Sequence, residues 1–217
     1  WTGTFGRAAL EQRYEAARKM VGVMPIGRIV GDDREQAAFF WSLKRDDYQS
    51  WRERDLDAWK QDVLGLWPEV APLLDQINAQ DELGFAAYPH STRNSPLARD
   101  FVQLGDSWHC TSPQLGQGAN MALLDAYALA RALDRQTDLA VALDEYARTR
   151  LWHIRLYQLA SFAFTPAYQS DSLAIAWARD MIVSPLARLW PAPQLLAALV
   201  AGQIGAPLHA LGHRRRT

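Results

Sequence analysis

Cysteine is almost absent. Cys110 is the only one in 217 residues, so no intrachain disulfide can form and the cysteine-rich zinc patterns are excluded. The expectation is a reducing, cytoplasmic compartment. Cys110 stands beside His109, but a nucleophile needs a third, orienting group and none is evident in the sequence. Long apolar runs are missing too. The most apolar late region, Met181 to Leu211, is broken by Arg188 and by Pro185, Pro191, Pro193 and Pro207, so it gives no membrane-spanning stretch. Lying against a membrane or a partner subunit stays open. The first residues, WTGTFGRAALEQRYEAARK, lack the basic head and apolar block of a secretory signal. Position 1 is not methionine, which reads as a processed chain or a fragment. Neither sign of charge dominates: the formal net charge is -1, which gives no general reason to expect nucleic acid or acidic membranes as partners. Arg214, Arg215 and Arg216 read as a frayed basic terminus, with phosphate or membrane contact as the lesser reading. There is no P-loop, no GxGxxG, no internal repeat and no low-complexity linker.

What is present is a shift from mixed strand and helix to mostly helix near residue 120, an α+β chain of one or two domains. Ala8 to Met20 has helical composition. Val21 to Val30 reads as extended, with a turn at Gly31-Asp32-Asp33 and a second extended run from Gln36 to Leu43. The two form an antiparallel hairpin in which Pro25 favours an edge or a bulge. Asp47 to Leu66 reads as one helix, with Trp51, Leu56, Trp59, Val63 and Leu66 at helical spacing and Pro68 as its stop. Those tryptophans read as core. Glu69 to Ile77 adds a turn or two. Asp81 to Tyr88 reads as a strand, Pro89 to Arg99 as a loop, and Phe101 to Leu104 as a short buried strand. Leu139 to Phe164 is a long helix with a stripe through Tyr146, Arg150, His153 and Tyr157, ended by Pro166. Further helices are expected over Ser172 to Val183 and Gln194 to Ile204.

The chain is organised around Leu104 to Leu133. A strand ends at Gly105-Asp106, a turn-prone loop carries Pro113 and Gly116-Gln117-Gly118, and the clearest helical pattern follows. A carboxylate at such a turn accepts hydrogen bonds from sugar or polyol hydroxyls, or caps its own backbone; the spacing leaves both open for Asp106. Amides at a glycine-rich loop just before a helix suit negative charge, though GQG alone also fits a tight turn.

The ordered set Gly105, Asp106, His109, Pro113, Gly116-Gln117-Gly118, Asn120, Asp125-Ala126 and Leu129 resembles the second flavin-contacting motif of the FAD-dependent aromatic hydroxylases, the para-hydroxybenzoate hydroxylase-like superfamily. The resemblance implies that Asp106, with Gly105, meets the ribityl or neighbouring hydroxyls of FAD. It places Pro113, His109 and Trp108 next to the flavin ring. Leu115, Gly116, Gln117, Gly118, Ala119 and Asn120 would pass the pyrimidine edge, with the amides of Gly118 and Ala119 towards O2. Asp125 would fix helix or loop. Trp108 stands where the family has a small residue, and it would narrow the ring pocket. Tyr146 to Arg150 resembles the family's Y-x-x-x-R packing step.

The resemblance also implies an organisation. Residues 1–98 would be part of a substrate-binding domain with an antiparallel sheet, 99–133 the return into the FAD domain, and 134–217 a C-terminal helical region. The absent GxGxxG would lie in a missing N-terminal portion, in the same or another chain, and FAD retention by this chain alone is expected to be poor. The intact enzyme would use NAD(P)H, oxygen and FAD to hydroxylate or epoxidise a small organic, aromatic substrate, and a homodimer is compatible with it. Trp41, Tyr88, His90 and Arg93 are the substrate-side candidates. The alternatives are a flavin-dependent halogenase, with Lys44 or Lys60 as its lysine, a flavin-dependent reductase, or a noncatalytic FAD-binding remnant or interaction subunit.

Overall fold

The computed structural model describes residues 5–6, 9–205 and 207. The arginine tail at 214–216 lies outside them, as do Ala8 and the end of the Met181 to Leu211 stretch. The chain forms two compact units. One holds the segment up to Ala87 together with Ala167–Trp177; the other holds Tyr88–Pro166 and the segment from Ala178 onward. The expected end of the first domain, residue 98, thus falls inside the second unit.

The first unit is built on an antiparallel meander, β1 (Glu11–Glu15), β2 (Lys19–Ile29) and β3 (Asp32–Ser42), in the order β1-β2-β3. The helix expected over residues 8–20 is therefore a strand and a tight turn. Its Glu, Arg and Ala content favours helix only weakly, and pairing of Glu11 to Glu15 with Val23 to Lys19 overrides that preference. Arg13 also lays its guanidinium over the Trp67 ring, 4.7 Å from the centroid. The hairpin of β2 and β3 is as expected. Pro25 sits in the central strand rather than at an edge, and the ladder slips between Pro25 and Gly27, the bulge that a missing N–H calls for.

One face of the sheet buries Val21 and Val23 against Trp59, Val63, Trp67, Val70 and Leu74, so Trp59 is core as its spacing indicated. The expected single helix from Asp47 is two, α1 (Tyr48–Arg52) and α2 (Leu56–Leu66). Asp55 breaks it by capping α2, accepting from the Ala58 N–H at 2.9 Å. Pro68 stops α2, and α3 (Ala71–Leu74) follows a single 3-10 turn. Residues 81–88 form no strand. Gln80 opens a 3-10 turn, its side chain donating to the Trp51 and Arg54 carbonyls, and Phe85 stacks on Tyr48 at 3.9 Å.

Phe40 lies across the bare backbone of Gly22 on the neighbouring strand, where a Cβ would come within 2.1 Å of the ring. Gly22→Ala is expected to push Phe40 out of place and lower stability by about 2 kcal/mol. A urea melt within about 0.5 kcal/mol of the parent would show that the ring yields freely.

The second unit is mainly helical: α4 (Asp106–His109), α5 (Gly118–Arg135) and α6 (Leu139–Tyr168). A two-residue strand β4 (Ser91–Thr92) bridges back to Cys110 and His109. The buried strand expected at Phe101 to Leu104 is reduced to one bridge, Leu97 to Val102, with Phe101 exposed. Tyr146 instead holds this segment, its hydroxyl donating to the Gln103 carbonyl at 2.8 Å. Pro166 falls inside α6 rather than ending it; near the C-terminus it removes little of the ladder. The late helices are α7 (Leu173–Ala178), which lies in the first unit but for its last residue, then α8 (Ser184–Leu186) after a wide π turn, and α9 (Ala192–Val200). The core of this unit gathers Trp108, Leu115, Met121, Leu124, Ala128, Tyr146, Ile154 and Tyr157. Among the described residues no helix is long and apolar enough to cross a membrane.

Candidate flavin-edge site

The loop that joins α4 to α5 is held from behind by one buried carboxylate. Asp125, fully buried on α5, accepts from the Gly105 N–H at 2.8 Å, from His109 Nε2 at 2.6 Å and from Arg150 Nε at 2.7 Å. Burial pushes the Asp125 pKa up, but the bonds from His109, Arg150 and Gly105 outweigh it and hold the group below its ordinary value. The ionised carboxylate can only accept, so His109 carries its proton on Nε2. Arg150 extends the chain: Nη1 donates to His153 Nδ1 at 3.1 Å and Nη2 to Met121 Sδ at 3.7 Å. Gly105 adopts φ +53°, and a Cβ there would press on the Ala122 Cβ at 2.8 Å, so the turn needs glycine on both counts.

A second clasp works from the far side. Gln117 Nε2 donates to the Val200 carbonyl, and Asn120 Nδ2 donates to Gln117 Oε1 at 2.8 Å. Gly202 packs so close to both that a Cβ would sit 2.1 Å from Asn120 Nδ2. The side chains of Gln117 and Asn120, expected at the cofactor, are thus engaged with the protein.

These two holds leave one face open. Asp106, Pro113, Gly116, Gly118 and Ala119 are exposed. The first turn of α5 has no side-chain cap, so its N–H groups point outward with the positive end of an 18-residue helix. Gly116 is left-handed at φ +61°. The Asp106 carboxylate stands beside Gly118: Oδ1 would lie 3.9 Å from a Cβ placed there.

Other sequence candidates divide by unit. Trp108 lies in the core, 1% exposed, donating to the Arg93 carbonyl at 3.1 Å and packing on Tyr146, so it is set back from the open face. His109 lines a cavity of about 10 Å³ with Leu115, Gln117 and Tyr157, room for roughly one water and not for a flavin ring. A ring would therefore rest on the exposed face. Tyr88, His90 and Arg93 belong to the second unit. Tyr88 is exposed, while His90 Nε2 meets Thr165 Oγ1 at 3.2 Å. Trp41 belongs to the first unit, as do Lys44, which pairs with Asp171, and Lys60. Burial and the Asp106 carboxylate push the Cys110 thiol up, and His109 is committed to Asp125, so no base activates that sulfur.

Residues 84–156 match the family model described as FAD binding domain. The match contains the whole GD and GQG motif, and it bears out the resemblance read from those residues. The chain is 33% identical over 90 residues to AqdB1 of Rhodococcus erythropolis, provisionally named a 2-heptyl-3-hydroxy-4(1H)-quinolone synthase; the match covers 42% of this chain and 22% of that protein. It is 30% identical over 82 residues to aurachin C monooxygenase/isomerase of Stigmatella aurantiaca, covering 38% of this chain and 21% of that one. The fold resembles that of Klebsiella pneumoniae HpxO, solved with FAD and uric acid, at a TM-score of 0.61 and 20% identity over 89% of this chain and 48% of HpxO. The aligned parts thus span about a fifth of the curated relatives and just under half of the structural one. The α+β architecture expected from the sequence is the one observed.

The open face fits a flavin edge on three grounds visible in this chain: free N–H groups at a helix start, no side chain at Gly116 or Gly118 to obstruct approach, and an exposed carboxylate suited to hydroxyls. The sequence reading named all of these residues. It missed the contacts of Gln117 and Asn120 with Val200 and Gly202, which are far apart in the chain and carry no local signature.

Proposed function

We propose that this chain supplies one wall of the FAD site of a monooxygenase that uses NAD(P)H and oxygen to hydroxylate or epoxidise an aromatic substrate. The carrying observation is the uncapped start of α5 beside Asp106, inside a segment of the FAD-binding family. Bound flavin supplies the oxygen chemistry. The chain's residues then divide the remaining tasks. Asp106 accepts from ribityl hydroxyls. The N–H groups of Gly118 and Ala119 favour negative charge at the pyrimidine edge. The Asp125 and Gln117 holds keep both in place. The first unit would be part of the substrate domain, and the pyrophosphate cradle would come from a further portion of the same or another chain. Relatives named for a quinolone and a structure holding uric acid support a flat, nitrogen-bearing aromatic as the substrate class.

The test is purification of the gene product that carries this chain, with a flavin spectrum, FAD titration, and substrate-stimulated NAD(P)H oxidation under ¹⁸O₂. Asp106→Ala is expected to weaken FAD binding about ten-fold, the loss of one or two hydrogen bonds to a buried ligand. Label in the aromatic product supports the reading; peroxide alone removes the monooxygenase assignment, and no flavin at all overturns the flavin reading and leaves the interaction subunit.

A further inference from the structure

The last helix of the second unit, α9, is held by its backbone more than by its side chains. None of its residues is fully buried, and Leu199 is its contact with the edge of the core. Two side chains from deeper in the unit reach the carbonyls of its last turn. Tyr157 Oη donates to the Leu199 carbonyl at 3.0 Å, and Gln117 Nε2 donates to the Val200 carbonyl. Carbonyls at a helix end lie outside the regular ladder, so bonds of this kind can anchor an otherwise exposed element. Gly202 follows directly, left-handed at φ +71°, with its N–H donating to the Leu199 carbonyl at 3.0 Å. A Cβ there would lie 2.1 Å from Asn120 Nδ2 and 2.7 Å from Gln117 Oε1.

Gln117 stands at the other end of this contact. It caps the start of α5, its carbonyl accepting from the Met121 N–H at 2.8 Å, and it directly precedes Gly118 and Ala119. Its side chain is 8% exposed and its amide is fully engaged. Nε2 gives its two protons to the Val200 and Leu115 carbonyls, the latter at 3.3 Å, and Oε1 accepts from Asn120 Nδ2 at 2.8 Å. Turning that amide towards a ligand would break all of these bonds at once. The side chain therefore acts on the loop from within.

We infer that Gln117 is a positioning residue that ties the Gly118 and Ala119 amides to the seating of α9, with Gly202 as the bare position that lets the two meet. The inference rests on the flavin reading of that loop. It makes α9 an energetic part of the flavin site, although none of the flavin-edge residues belongs to that helix. Coupling of this kind is reciprocal. A seated α9 holds the loop in the form that takes FAD, and bound FAD in turn holds α9 in its seat. A helix with few buried contacts opens locally at low cost, so the coupling is readable there.

Hydrogen exchange of the gene product that carries this chain tests the link, with FAD as the probe. Saturating FAD is expected to slow exchange of the amides of residues 197–203 about five-fold. Gln117→Ala leaves α9 itself unchanged; it should weaken FAD binding about ten-fold and abolish that slowing once FAD is again saturating. A residue that only added stability would change exchange equally with and without FAD. Gly202→Ala presses on Asn120 from the opposite end and keeps the test open if Gln117→Ala does not fold. It should cost a similar factor in FAD affinity and, with no ligand present, shift the Gly116 and Gly118 amide resonances in a ¹H–¹⁵N spectrum. FAD bound with unchanged exchange at 197–203 overturns this inference and leaves the flavin reading standing. No FAD bound overturns the flavin reading and the role of the link with it, while shifted glycine resonances would still establish the link itself. Unmoved resonances remove the link whether or not FAD binds.

Discussion

Asp125→Ala is expected to lower the melting temperature by roughly 10 °C, the equivalent of about 4 kcal/mol in a chain of this size. The size of the effect follows from what the truncation leaves behind. Arg150 is 1% exposed and loses the carboxylate that balances it; His109 and the Gly105 N–H lose their acceptor at the same time. An unpaired buried guanidinium accounts for most of the cost, because the dry interior offers it no water in exchange. Asp125→Asn keeps the shape but brings an NH₂ to face three donors, so it should fall between parent and alanine variant. Circular dichroism melts of the three proteins check this. A melt of Asp125→Ala within about 2 °C of the parent would mean that the three partners relax to water, and that the carboxylate does not organise the loop.

A pH profile gives the second large effect. His153 is almost fully buried; burial first, and then the Arg150 guanidinium, lower its pKa to about 4 from 6.5. Its Nδ1 accepts from Arg150, while Nε2 has no partner in hydrogen-bonding geometry, although the nearby Gly202 backbone pulls weakly towards protonation. The folded chain therefore resists a proton that the unfolded chain takes up readily. Stability from this source is complete above about pH 6.5 and drains away as pH falls towards 4, on the order of 3 kcal/mol in all. Asp125, also held low, adds a separate loss that begins only below the ordinary carboxylate range near pH 3.9. His153→Gln keeps an acceptor for Arg150 and does not titrate. Urea melts from pH 7 to 4 should show a slope in the parent that is flatter in the variant. Identical slopes would assign the acid sensitivity to other groups.

Much of the site was legible because its information is local. Gly105-Asp106, Pro113 and Gly116 to Gly118 fall within one short stretch, where backbone demands and helix-start chemistry leave a readable order of residue types. The long helix and its stripe of Tyr146, Arg150, His153 and Tyr157 were equally clear, because a buried face repeats at helical spacing. What failed was decided by distant partners. Glu11 to Glu15 have helical composition and became a strand because β2 was there to pair with them. Residues 81–88 have strand composition and became a loop, tethered through Gln80 to the Trp51 and Arg54 carbonyls. Trp108 looked like a wall of the cofactor pocket and is core, since a hydrogen bond to the Arg93 carbonyl turns its ring inward. Asp125 was correctly read as structural, yet no spacing rule announces that Arg150 reaches it from the next helix.

The first unit is completed by residues 167–177, which follow most of the second unit in the chain. Asp171, in that returning segment, is the shared counterion of Arg18 and Lys44. Synthesis from the N-terminus must therefore make the long helix α6 before the sheet at the other end receives its last carboxylate. A boundary cut after Ala87 would leave Arg18 and Lys44 without their acid, so no single scission separates the two units.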